Sequence, residues 1–566
     1  LVVVGLVSLL VLGWAGWGWL SGGPTTGPAR TEECARTAVL RVAVGPSADL
    51  PVREAAKRWN ARGPVVDGTC YEVVVATVDS ARALAGLTGQ WDAGLGERPD
   101  AWLPESSLWT DRLSRFDEKL LANAPESVAH SPVVLATHEA AAGLLRERAG
   151  FRWNDLTGFT ADTSGWARFG RAEWGRITVA LPDPKNNAAS ALAVQAALLG
   201  PAQESPVTQA ALARPPVAQA LAALASSQQR DGLGSTSSAL AVLADAPDPG
   251  AAPYSAVAAL EVDVYRRNSA SDGKPTPQRP LWEVVAIGPG PSADFPVAAL
   301  NAQRVEATDA FRRFLQEPDQ QREFGRAGLR TDTDSRPANQ VGLLWDDKAQ
   351  VGFVAAAADT AQQITTTWDS TVTGGVAATI LVDVSESMGT EGGGGRSRLD
   401  WVRDALNKYT DYATAGSLGV WPFSHELARG KPYQVAVPTG PVVNRRDRVH
   451  EVLNGLEPAG RTDFYESVVA GYRAAVQGYV PDRANHLIVI TDGGADGSVD
   501  LAQAKAAIKR AANERKPVTV DVIAIGPDVA REELLDLTAS TGGRLAVLTD
   551  ARGVTTALTE AVTHRR

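Results

Sequence analysis

Short apolar runs alternate with stretches of helical period along most of this chain, a pattern that predicts an α/β fold. Runs at 40–44 and 71–76, with a helix-like stretch at 52–61 between them, predict a β-α-β unit whose strands are parallel neighbours. Residues 100–109 read as a strand, a turn and the start of a helix, with Ser106 or Ser107 as its cap. Further on, strands are predicted at 133–137, 177–181 and 284–288, a long helix at 188–199, and an amphipathic helix at 307–324. Residues 346–375 are less regular, with a connecting helix predicted over 354–367. Alternation then resumes. An apolar, β-branched run begins at 380, strands follow at 417–423, 486–491, 518–525 and 545–548, and helices at 399–412, 445–456, 464–479, 501–513 and 530–540. Such alternation predicts a doubly wound parallel sheet covered on both faces.

The first twenty residues break this pattern. Residues 1–20 are apolar apart from Ser8, long enough to span a bilayer, with Trp14, Trp17 and Trp19 near one end where indoles favour the membrane interface. A transmembrane anchor is the preferred reading and a signal-peptide core the other; either one exports the rest. A Gly/Pro/Thr-rich linker covers 21–35.

Composition narrows the function. A chain of 566 residues exceeds a single core, and a net charge of −10 without a long basic run argues against nucleic acid as a partner. The excess of arginine over lysine, with one methionine, fits a GC-rich bacterial coding bias. Six histidines are scattered at 130, 138, 425, 450, 486 and 564, so no histidine metal site is expected. The two cysteines, Cys34 and Cys70, each precede one of the first two strands. In an exported protein they would form a disulfide; two buried thiols are the alternative.

The strand starting at Ile380 ends in Asp383-Val384-Ser385-Glu386-Ser387-Met388-Gly389, three oxygen-bearing side chains at alternating positions on one loop. Thr462 stands on a later turn and Asp492 at the end of another apolar strand. Oxygen donors of this kind suit a small hard cation. At these residues the chain resembles the von Willebrand factor A domain and its metal-ion-dependent adhesion site. The resemblance implies that Asp383, Ser385, Ser387, Thr462 and Asp492 hold Mg2+ (or Mn2+), with one position left for an acidic side chain of a protein partner. A hydrolytic role would need a general base, and the nearby Glu386 and Asp463 read as solvent-facing or capping groups, so no enzyme is expected. The glycine run 392–395 lacks the Gly-Lys-Ser/Thr of a phosphate loop and reads as a flexible rim beside the metal.

Residues 36–345 resemble the bacterial extracellular solute-binding proteins, in their two-lobed periplasmic-binding-protein-like form. Gly45-Pro46-Ser47, the segment from Trp102 to Trp109 and the Leu181-Pro182-Asp183-Pro184 turn carry that resemblance. It implies one lobe from 36–130 with about 290–345, a second lobe between them, and a ligand cleft among Ser47, Ser106, Ser107, Asp183 and Asn187. The layout is then a membrane segment (1–20), a linker (21–35), a solute-binding-type domain (36–345), a connecting segment (346–375) and an A domain (376–566). The function expected is a single-pass cell-membrane protein, extracytoplasmic in bulk. Its A domain binds a protein partner through the metal, while the other domain senses a small-molecule solute or serves as scaffold. The alternative is the solute receptor of an ABC-type transport system with an accessory A domain. A cytosolic metal-chelatase accessory is a third reading, opposed by the apolar N-terminus and the cysteine pair.

Overall fold

The computed structural model describes residues 34–146, 150–228, 234–345, 353–493, 499–527 and 529–563. The expected membrane segment 1–20 and nearly all of the linker lie outside them, as do residues 346–352 of the connecting segment. Among the described residues no helix is long and apolar enough to cross a membrane.

Lobe one is a six-stranded sheet in the order β2 (Val65–Val66), β3 (Thr69–Thr77), β1 (Arg36–Val44), β4 (Ala101–Leu103), β11 (Pro296–Ala299) and β5 (Glu126–Ser127). β1 runs parallel to both β3 and β4. β11 returns from the far side of lobe two to lie antiparallel to β4 and β5. Helices α1 (Asp49–Arg62), α2 (Ser80–Thr88) and α3 (Ser107–Phe116) follow β1, β3 and β4. Cys34 and Cys70 are joined in a disulfide beside this sheet, Cys70 standing opposite Thr37 in the β1–β3 register.

Lobe two is built on β6 (Ser131–Thr137), which pairs with β8 (Ala256–Leu260), β9 (Trp282–Val284) and β10 (Ser292–Ala293), while β7 (Val179–Ala180) lies parallel to β8. Its helix α4 (Ala188–Ala202) is apolar on nearly every face and accordingly buried along most of its length, with Asn187 accepting from the Ser190 N–H as its cap. Helices α5 (Pro215–Ser226) and α6 (Glu261–Asn268) complete the part that bears on function.

The predicted helix over 307–324 is two helices, α7 (Val305–Leu315) and α8 (Pro318–Arg326). Pro318 lacks the N–H that would continue the first, and it opens the second at a position where that donor would be free anyway. The tail after α8 was expected with lobe one. Instead it runs along lobe two: the Glu283 N–H donates to Gly342 O at 2.8 Å and Asn268 Nδ2 to Val341 O at 3.0 Å. The connecting helix falls later than expected, at α9 (Ala358–Thr373), and its Ile364 and Trp368 join the core of the two lobes beside α5.

The C-terminal domain is a seven-stranded sheet. Its parallel centre runs β13 (Ser417–Ala428), β12 (Ala377–Asp383), β16 (Asn485–Thr491), β17 (Thr519–Ile525), β18 (Leu545–Leu548), with β14 (Lys431–Tyr433) and β15 (Val437–Pro441) antiparallel to β13. β12, β16 and β17 are buried at every position, which is why they read as continuous apolar runs. Helices α10 (Arg398–Tyr412), α11 (Phe464–Gln477) and α12 (Val554–Val562) cover the two faces, and α10 starts with a capping box between Ser397 and Asp400.

The domains interlock. Phe116, the last residue of α3 in lobe one, is part of the C-terminal domain's core. Gly553 just before α12 comes so close that a Cβ there would meet Phe116 O at 2.1 Å. Only glycine permits that approach.

Candidate metal centre and solute cleft

Asp383 is the last residue of β12 and is fully buried; Asp492 follows β16 one strand away. Both stand at the carboxyl ends of parallel strands, where ligands bind on such sheets. Asp383 accepts from the Ser385 N–H at 2.8 Å and from Thr491 Oγ1 at 2.6 Å. Ser385 Oγ and Ser387 Oγ lie 3.1 Å apart, and Ser387 Oγ donates to Asp492 Oδ1 at 2.8 Å. Four of the five expected metal residues therefore share one hydrogen-bonded cluster.

Thr462, the fifth, is buried on a loop pinned against this cluster. The Glu386 N–H donates to Gly460 O at 2.9 Å and the Ala459 N–H to Val384 O at 2.7 Å, while Ser424 of β13 donates to Arg461 O at 2.8 Å. Of the two carboxylates weighed for a hydrolytic role, Asp463 bonds to His425 Nδ1 at 2.7 Å and Glu386 is exposed.

Burial pushes the Asp383 carboxyl up to about 6, with its hydrogen bonds opposing and the Asp492 charge adding to the rise. The donor set is all oxygen, two carboxylates and three hydroxyls, which fits a small hard divalent cation. Among the described residues no cluster of three or more His, Cys, Asp or Glu forms a metal array, so any metal here rests on the hydroxyls as much as on the acids. Sequence reasoning missed three supporting residues. Thr491 precedes Asp492 directly and was readable as a donor. Ser424 gave no signal. Arg398 follows the glycine run, and its Nη1 donates to Asp492 Oδ2 at 2.6 Å.

The expected solute residues fall into two groups. Ser47, after β1, donates from Oγ to Asp263 Oδ1 of α6 at 2.7 Å, a bond that crosses from lobe one to lobe two. Beside it Glu105 accepts from the Ser80 hydroxyl at the start of α2, and a Cβ on Gly45 would lie 2.5 Å from Glu105 Oε1. Ser106 caps α3 by accepting from the Leu108 N–H at 3.3 Å, and the Ser107 N–H donates to Asp294 Oδ1 at 2.7 Å. Asp183 accepts from the Lys185 N–H and from Asn186 Nδ2, both at 2.9 Å, and Asn187 Nδ2 donates to Thr236 Oγ1 at 2.6 Å. Asp183 and Asn187 thus shape the turn that leads into α4. The interlobe carboxylates Glu105 and Asp263 carried no sequence signal, because their partners lie far away along the chain.

Burial, reinforced by the charges of Asp79 and Asp263, raises the Glu105 carboxyl to about 7 despite the Ser80 hydrogen bond. A carboxyl raised in the folded state favours folding while it is protonated, and this benefit is lost as pH climbs from the unfolded value through the folded one. Glu105→Gln keeps an acceptor for Ser80 and removes the titration. Its stability advantage over the parent is expected to widen by about 2 kcal/mol between about pH 5 and about pH 8, a figure discounted for residual solvent contact. Urea unfolding at both pH values measures it, and parallel curves for the two proteins would refute the buried-charge account.

A family model described as bacterial extracellular solute-binding protein matches residues 40–330. An uncharacterized protein of Mycobacterium tuberculosis, in the H37Rv and CDC 1551 strains alike, is 27% identical over 514 residues, 87% of this chain and 71% of that one. Among solved structures, the sulfate-binding protein SubI from M. tuberculosis H37Rv is 17% identical with a TM-score of 0.36, covering 57% of this chain and 93% of that one. A von Willebrand factor type A protein from Catenulispora acidiphila is 19% identical with a TM-score of 0.28, over 33% of this chain and 42% of the length of that one.

Proposed function

We infer, for a chain that belongs to the bacterial extracellular solute-binding protein family, that it is an extracytoplasmic receptor taking a small-molecule solute between its two lobes. The observation that carries this reading is the Ser47–Asp263 bond across the lobes, beside Glu105 and at the carboxyl end of β1. The carboxyl groups of Glu105 and Asp263, both half-buried in that place, offer acceptor oxygens to a solute presenting hydroxyl donors or a cationic nitrogen. The family and the Cys34–Cys70 disulfide both support a location outside the cytoplasm. Anchorage through residues 1–20, delivery of the solute to an ABC-type permease, and binding without catalysis belong to the same proposal.

The test is a thermal-shift panel of polyols, sugars, amines and oxyanions on the full chain, repeated with Ser47→Trp, which fills the cleft. A stabilising polyol, sugar or amine whose effect disappears in Ser47→Trp supports the reading. A panel that is silent, that responds only to oxyanions, or whose hits survive the substitution counts against it.

A second reading, favoured by the Asp383–Ser385–Ser387–Asp492 cluster, concerns the A domain. We propose that these residues, with Thr462, hold Mg2+ or Mn2+. The ion would supply a Lewis-acidic position for the carboxylate of a protein partner. Thr491 and Ser424 would keep the donor loops in place.

A further inference from the structure

The Asp183–Asn187 turn, expected to meet solute, meets the C-terminal domain. Lys185 Nζ, its side chain 10% exposed, lies 3.3 Å from Glu560 Oε2 on α12. From the opposite lobe, Arg112 of α3 donates to Lys185 O at 2.5 Å and reaches Pro184 O at 3.4 Å, its guanidinium 4.9 Å from the Trp109 ring. Three bodies therefore converge on one turn: lobe one through Arg112, lobe two through the turn itself, and the A domain through Glu560. The Lys185 and Arg112 charges hold the Glu560 carboxyl below its usual range although burial opposes them.

The A domain is fastened to both lobes around this point. Toward lobe one it holds Phe116 in its core, and Arg552 Nη2 donates to Glu118 Oε1 at 2.9 Å. Toward lobe two, α9 packs on α5 and α4, and Gln362 of α9 donates from Nε2 to Thr555 O of α12 at 2.7 Å. At the centre of the joint is a cavity of about 50 Å³, lined by Arg112, Lys185, Gln195, Ile364, Thr556 and Glu560. That volume holds a few waters.

We propose that the A domain is a fastener for the solute-binding lobes, and that Glu560 is its positioning residue, holding the lobes closed by gripping Lys185 on the solute turn. The proposal leans on the solute reading only for what closure would serve. Closure itself is measured without any solute, so the two ideas fail separately.

The experiment places nitroxide spin labels at Lys57→Cys in lobe one and Thr163→Cys in lobe two of the full chain. Both native cysteines are held in the disulfide, so only the introduced thiols react. Pulsed electron spin resonance then gives the interlobe distance distribution. The parent is expected to show one short distance. Glu560→Lys, which sets a fourth cation among Lys185, Arg112 and Arg544, is expected to add a longer, open population, and Glu560→Gln a smaller one. The swapped pair Lys185→Glu with Glu560→Lys is expected to restore the single short distance. Circular dichroism and a melting curve select variants that remain folded, and Glu560→Gln, the mildest change, is the fallback if the reversal does not fold. A parent already open, variants unchanged from the parent, or opening that the swap does not reverse would each overturn the proposal.

Discussion

Magnesium is expected to raise the melting temperature of the chain, and Asp383→Ala to abolish that rise together with the heat of Mg2+ binding. The argument is electrostatic. Asp383 is fully buried, no Lys, Arg or His among the described residues pairs with it, and burial lifts its carboxyl to about 6, so near neutral pH the folded domain carries an unfavourable charge there. A divalent ion bound to the folded state alone would relieve that charge and add about 2.7 kcal/mol of stability at a hundredfold excess over Kd. Losing the carboxylate removes the donor nearest the core, and a fall in affinity of at least ~100-fold is expected. Arg398→Gln separates this from general damage. It frees Asp492 from its ion pair at 2.6 Å and is expected to strengthen Mg2+ binding. Calorimetry and melting curves on the three proteins decide the matter. A parent that neither gains stability nor releases heat at millimolar Mg2+ would leave the cluster as an ordinary hydrogen-bonded strand end.

The second large effect lies at the other end of the molecule. Opening the Cys34–Cys70 disulfide, by reduction or as a Cys34→Ser/Cys70→Ser pair, is expected to cost about 3–4 kcal/mol in the chain-entropy model for a sequence separation of 36. The loop it closes contains β1, α1 and the β2 strand, so the loss belongs to lobe one. Native-state hydrogen exchange read strand by strand tests the assignment. Amides of β1 and β3 should lose protection, and those of β16 and β17 should keep theirs in any opening that spares the C-terminal domain. Equal loss in both sets would mean that the whole chain unfolds as one unit.

The C-terminal domain's sheet was readable because β12, β16 and β17 are buried on both faces and so carry no polar alternation to confuse a strand with a helix. Asp383, Ser385 and Ser387 were readable for a local reason: their spacing sits on one loop. The cysteine pair was also legible, since both lead into neighbouring strands. What escaped was long-range. Ser47 meets Asp263, and Lys185 meets Glu560, only after the lobes and domains have docked, and no periodicity encodes a pairing of that kind. The break at Pro318 was in plain view, yet the amphipathic pattern on either side of it outweighed one proline. Arg398 was hidden differently. Beside a glycine run and at the first turn of a helix it reads as a surface residue, and only the fold aims it at Asp492.

The return of β11 to a place between β4 and β5 of the first sheet has a consequence for the order of assembly. A ribosome or a secretion channel delivers the chain from its N-terminus, so β1, β3 and β4 emerge long before the strand that must lie beside β4. Until residues 296–299 arrive, that sheet has an open, hydrogen-bonding edge of the kind that recruits stray strands. Every strand of lobe two, from β6 to β10, is delivered before β11. The later part of the domain is therefore the first whose sheet can be complete, and the N-terminal strands wait on a piece that leaves the channel about 190 to 250 residues after they do.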